Sequence, residues 1–312
     1  MNRMVEWPKE WSHHDYIIMK AALIILVFSS LVVRPAHVFP ESYRLIQKSE
    51  SLQSSKQKPG HPIVEMEADY LVGGSKGAKW IDTENLAKTI KGGERYRIYG
   101  FDSYLGNGLG AKPVKSEPLC TDTILVKVTR SSTSVRRKIA VMAVAGEWNA
   151  LPRVPRFVVT PDASVREAVA RILIRNGIRQ PTVNISQVIH VDLDGDGVDE
   201  VLVCAGRHDG RPVTPTSHVS PHITPGDYSL VLLRKRIKGR LKDIVISGEY
   251  FPKSKEAFGG PTVDCIRAVL DLNGDGNMEI ILKYRYFEGE GISIFDLTKS
   301  NNRAVLSVGC GA

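Results

Sequence analysis

The 312 residues are 42% hydrophobic and 24% charged. That is enough apolar mass for a sizeable core, and it excludes a globally disordered chain. The formal net charge is +8, which favours polyanionic partners, but the basic residues are scattered and form no stripe for specific nucleic-acid binding. The densest cluster, Arg234, Lys235, Arg236, Lys238, Arg240 and Lys242, reads as the solvated edge or tip of a hairpin.

In chain order, the first feature is Ala21–Val33, an uncharged run of 13 residues behind Lys20. It suits the apolar region of an export signal and falls short of the roughly 20 residues of a transmembrane helix. Residues 1–36 are therefore expected to be a signal peptide or a signal anchor, and they supply the only membrane contact. Residues 37–62, rich in Ser, Lys, Gln and Pro, read as a linker. From Ile63 to Thr182 the texture is β-rich. Strands are predicted at Tyr70–Val72, Arg95–Gly100, Thr123–Val128 and Lys138–Ala145, with the glycine-rich stretch Gly106–Gly110 as a loop. Helices are predicted over Thr83–Ile90 and Ser164–Asn176, the second opened by a Ser164/Glu167 capping box and stopped by Gly177.

Residues 183–312 repeat themselves, as units 183–254 and 261–312. Each has four strand-like runs with an acidic loop between the first and second, and the loops are offset by 79 residues, from Asp192 to Asp271. Unit one has strands Ile185–Val191, Val201–Ala205, Tyr228–Arg234 and Asp243–Gly248; unit two has Cys265–Leu270, Ile280–Tyr286, Ile292–Asp296 and Ala304–Val308. The extra length of unit one is a Pro/His/Thr-rich insert, Arg207–Pro225.

The loops read D-L-D-G-D-G-V-D-E and D-L-N-G-D-G-N-M-E. Oxygen donors at positions one, three and five are what a tight calcium loop needs, because the ion takes six to eight oxygens. Asp192, Asp194 and Asp196 supply them in the first loop, and Asp271, Asn273 and Asp275 in the second. The glycines permit the positive φ that wraps the backbone. Val198 and Asn277 would add a carbonyl, and Glu200 and Glu279 would close the shell. An EF-hand is excluded, since its bidentate Glu falls at position twelve, where this chain has Val203 and Leu282. The flanks are also β-branched runs rather than helices. The pattern D-x-[DN]-G-D-G-x-x-[DE], with a strand on each side, resembles the calcium loop of FG-GAP or VCBS-type repeats over residues 183–312. The resemblance implies antiparallel, propeller-blade-like repeats holding two calcium ions. Two blades cannot close a propeller. Either residues 63–160 add degenerate, metal-free blades, or the fold is a smaller assembly such as a calcium-clipped β-sandwich.

Cys120, Cys204, Cys265 and Cys310 allow two disulfides in an exported chain, or free buried thiols. No Walker loop, nucleophile elbow or H-E-x-x-H zinc motif is present. His208, His218 and His222 cluster in the insert. The expected function is thus an exported, secreted or membrane-anchored, calcium-binding scaffold or binding module whose partner is an extracytoplasmic protein or envelope polymer. The alternative is an exported hydrolase using Asp209, Asp227, Glu288 and Glu290, with calcium as support.

Overall fold

Among the described residues, alternating apolar runs build three large antiparallel sheets and one two-stranded pair, and the protein is mainly β with two helices. The computed structural model describes residues 60–116, 120–131, 139–253, 261–299 and 303–311. The export segment and nearly all of the linker lie outside these residues. The linker's last residues, His61 and Pro62, instead open strand β1 (His61–Glu65).

The first sheet takes β1, β2 (Leu71–Lys76), β3 (Lys79–Ile81), β4 (Arg95–Tyr99), β5 (Tyr104–Gly110), β8 (Val128–Arg130) and β9 (Met142–Val144), in the order β3-β2-β1-β9-β4-β5-β8. The short strands β6 (Val114–Lys115) and β7 (Ile124–Leu125) pair separately. One seven-stranded sheet therefore stands where degenerate blades were expected. The glycine-rich stretch expected as a loop lies within β5, where Gly108 and Gly110 fill crowded sheet positions. A Cβ on Gly110 would meet the Tyr96 ring at 2.4 Å, and one on Gly108 would meet Ile98 and Val128 at 2.9 Å.

Helix α1 (Thr83–Ala87) is capped by Asp82, and α2 (Ala163–Arg175) by Asp162, whose carboxylate accepts from the Val165 N–H. The predicted Ser164 cap is displaced by this aspartate two residues earlier, and Ser164 donates to the same carboxylate. Gly177, at φ +92°, ends the helix as expected.

Unit one is a meander of β11 (Ile185–Val191), β12 (Glu200–His208), β14 (Asp227–Ile237) and β15 (Arg240–Phe251), with β10 (Arg156–Phe157) beside β11 and β13 (Arg211–Pro212) on β12. Unit two is the meander β16 (Val263–Leu270), β17 (Glu279–Tyr286), β18 (Gly289–Phe295) and β19 (Leu306–Gly311). Val165, Val169 and Leu173 of α2 cover one face of the unit-one sheet, against Val188, Val203 and Leu232. Its other face joins a core shared by all three sheets, including Met142, Ile189, Leu233, Ile266 and Ile280. The N-terminal β-rich region and the repeats are thus parts of one compact unit.

A polar seam sets how the repeats meet. The Gln187 amide donates to Ile266 O (2.9 Å) and accepts from Ile266 N (2.8 Å), so a side chain replaces a ladder rung between sheets. Beside it, Asp264 N donates to Ser229 and Ser247 donates to the Asp264 carboxylate. Cys120 and Cys310 form a disulfide that ties β19 to the first sheet's side of the molecule; Cys204 and Cys265 are free and buried at the seam.

Burial pushes the Asp264 carboxyl up to about 6; the Ser247 hydrogen bond opposes the shift and the nearby Glu249 charge adds to it. A carboxyl that holds its proton more tightly in the folded state stabilises at low pH. That contribution is complete below about pH 4 and lost as pH rises through about 6. Urea denaturation should show wild type losing about 2.4 kcal/mol relative to Asp264→Asn between pH 4 and pH 7. Parallel pH profiles for the two proteins would contradict this.

Candidate metal centre

Each acidic loop closes on itself through the same hydrogen bonds. Asp192 accepts from Gly195 N (2.7 Å) and Gly197 N (3.1 Å), Asp194 from Asp196 N (3.3 Å), and Asp196 from Val198 N (2.8 Å). At the equivalent places Asp271 accepts from Gly274 N (2.7 Å) and Gly276 N (3.0 Å), Asn273 from Asp275 N (2.8 Å), and Asp275 from Asn277 N (2.8 Å). The closing glutamates fold beneath. Glu200 accepts from Leu193 N (2.8 Å) and Glu279 from Leu272 N (2.7 Å). The glycines match too, with φ of +78° and +85° at Gly195 and Gly197, and +77° and +90° at Gly274 and Gly276. The ten sequence-predicted positions therefore fall in two loops with one hydrogen-bond pattern, and among the described residues only the first loop brings three carboxylates, Asp192, Asp194 and Glu200, within 4.8 Å of one another. Glu200, Asp271, Asn273 and Glu279 are buried, while Asp194, Asp196, Val198 and Asp275 face solvent.

The cages lie side by side, since Met278 N donates to Leu193 O (2.8 Å). A strap from the first sheet, Trp148–Arg153, holds both. The Trp148 indole donates to Asp271 O (2.7 Å) and its ring lies on Gly274. Asp271 N donates to Ala150 O (2.8 Å). The Arg153 guanidinium donates to the carbonyls of Asp192, Leu193 and Gly276, the last two at 2.9 and 2.7 Å. Neither Trp148 nor Arg153 stood out in the sequence. Both lie in an irregular segment whose role exists only once distant loops are brought to it.

Electrostatically the two cages differ. In the first, Lys235 Nζ lies 2.5 Å from Asp194 and 3.4 Å from Glu200. That ammonium holds the Asp194 carboxyl below its usual range. Burial pushes Glu200 up, against the Leu193 N–H and Lys235. Lys235 itself is held above its usual value, because these two carboxylates outweigh its partial burial. The predicted solvated tip is thus corrected at its base. Lys235 points into the first loop, and Arg234, buried, pairs with Asp243 (2.8 Å). In the second cage no ammonium or guanidinium among the described residues pairs with Asp271, Asp275 or Glu279. Glu279 is 1% exposed, and burial, reinforced by the carboxylates of Asp275, Asp296 and Asp271, pushes it up to about 9.

The other candidate groups take structural places. Asp227 is fully buried and accepts from the N–H groups of Asp209, Gly210 and Thr224, with Arg207 at 3.3 Å. Buried His208 accepts from Ser220 N (2.9 Å), and the backbone N–H of His222 donates to Ser220 Oγ (3.3 Å). Glu288 is exposed at the β17–β18 turn, and Glu290 pairs with Lys283 (3.0 Å). His218, Arg285, Phe287 and Glu290 share a shallow cleft of about 420 Å³ between the insert and that turn.

Arg153→Met removes three donors to loop carbonyls while keeping the aliphatic stem. Urea denaturation should show a loss of about 1–3 kcal/mol, with faster amide exchange in both loops rather than one. Exchange changing in neither loop would show that the guanidinium holds nothing. In comparisons with known proteins, no family model, no curated protein and no solved structure matches this chain.

Proposed function

We propose that this chain is an exported scaffold or binding module whose two repeat loops each take a divalent cation, calcium, as a structural clip. The observation that carries the reading is Glu279: a buried carboxylate beneath a loop, facing Asp271 and Asp275, with no cationic partner among the described residues. A carboxyl buried without a cation holds its proton instead, and a cation seated in the loop would displace that proton and meet the carboxylate. In the first loop the nearest ligand oxygens of Asp192, Asp194 and Glu200 lie within 4.8 Å of one another, a separation one ion can span. Asp192, Asp194, Asp196, the Val198 carbonyl and Glu200 would hold one ion. Asp271, Asn273, Asp275, the Asn277 carbonyl and Glu279 would hold the other. All-oxygen sets of this kind suit a hard cation such as calcium.

Export is supported by the Cys120–Cys310 disulfide, which suits an oxidising compartment. The partner would then be an extracytoplasmic protein or envelope polymer. The hydrolase alternative would draw on Asp209, Asp227, Glu288 and Glu290. The full engagement of Asp227 by backbone donors weighs against it.

Calorimetric titration of chelator-stripped protein with calcium chloride tests the reading. Uptake is expected, with a rise in unfolding free energy of about 2.7 kcal/mol at a hundredfold excess over Kd and a Tm higher by about 5–10 °C. Glu279→Gln should remove the larger part of this rise. Neither heat nor a Tm shift at millimolar calcium would end the proposal.

A further inference from the structure

The two loops match at every hydrogen bond from a loop N–H to a loop side chain, yet the strand beside each brings the opposite charge. In unit one, β12 pairs with β14 so that Val201 lies opposite Arg234, which sets Lys235 beside Glu200. In unit two, β17 pairs with β18 so that Ile280 lies opposite Phe295, which sets Asp296 beside Glu279. Val201 and Ile280 are equivalent positions, so Lys235 and Asp296 are equivalent as well. β14 alternates so that Val231 and Leu233 enter the shared core, and Lys235 continues the same stripe past the end of the apolar run. Its ammonium therefore reaches Asp194 at 2.5 Å and Glu200 at 3.4 Å. Asp296, 3% exposed, instead adds a carboxylate near Glu279. It is held by the Trp80 indole (3.0 Å) and the Thr298 N–H (2.9 Å), with Lys299 at 3.6 Å.

We infer that the two loops are not equivalent sites: loop two takes a divalent cation first, while loop one carries a tethered competitor, the Lys235 ammonium, which an incoming ion must displace from Asp194 and Glu200. The inference rests on the reading of the loops as divalent-cation sites and deepens it. An ammonium on a flexible four-carbon stem can vacate a site in a way that a backbone donor cannot. Its presence keeps loop one closed and charge-compensated when no ion is bound. Loop two has no ammonium of this kind among the described residues, so an ion entering it displaces no tethered cation from Glu279. The result is a graded device: one clip filled at low calcium, and a second filled only when calcium is abundant.

Calcium titration of the chelator-stripped chain separates the outcomes, with calorimetry counting both sites and Trp148 fluorescence reporting loop two, whose Gly274 its ring covers. Wild type should show two sites differing by about tenfold or more, with the Trp148 signal complete at the first. Lys235→Met and the milder Lys235→Gln should tighten the second site by about tenfold and leave the first unchanged. Lys238→Met, which makes the same change in net charge at the β14–β15 turn, should move neither site by more than about twofold. Two sites of equal affinity, or a second site unmoved by either Lys235 variant while Trp148 responds normally, would overturn the inference and leave the loops as calcium sites. No uptake by any variant would overturn the proposed function and this inference together.

Discussion

The constraint on which the rest depends is a carboxylate folded under each loop. Glu200 and Glu279 turn away from water to accept the N–H of the second loop residue. That choice makes each nine-residue loop a closed ring, and in the first the oxygens of Asp192, Asp194 and Glu200 converge within 4.8 Å of one another. It also creates a liability, because a buried carboxylate destabilises the fold unless something positive meets it. The two halves of the molecule answer differently: unit one supplies Lys235, and unit two leaves the place open and adds Asp296.

The rest of the structure keeps these rings aligned. Loop backbones donate and accept with a strap of the first sheet rather than with their own sheets alone, so residues before the repeats are part of the site. The Gln187–Ile266 amide pairing fixes the angle of one meander on the other. The shared core makes the three sheets one body. The loops are therefore held from beneath by packing and from the side by Trp148 and Arg153. Rigid support of this sort suits a permanent clip better than a sensor that opens on binding.

Much of this was legible in the residues. The eight strands of the two units follow from alternation and from apolar runs flanked by turns; β11 falls at its expected bounds, β18 and β19 are shifted by one to three residues at their ends, and the others extend by a few residues where polar ends continue the ladder. The loop positions were readable because donor spacing and glycine placement are local. The misreadings have a common cause. Gly106–Gly110 carries no side-chain alternation, so its strand becomes visible only when Tyr96 and Ile98 are laid over it. Asp162 and Ser164 are both competent helix caps, and competition between them is decided by geometry. Lys235 belongs to a charged run that looks solvated as a whole, and only strand parity separates it from its neighbours. Trp148 acts across 123 residues and Arg153 across 39 to 123, distances no local pattern reports.

The central claim is that the two loops are cation cages of unequal kind. The most direct measurement is an anomalous difference map from crystals equilibrated at a series of calcium concentrations. The account predicts a peak inside Asp271–Glu279 at the lowest concentration, and a second inside Asp192–Glu200 only at higher ones, with the Lys235 side chain moved out. Absence of density in either loop at saturating calcium, or equal filling with Lys235 still between Asp194 and Glu200, would contradict it.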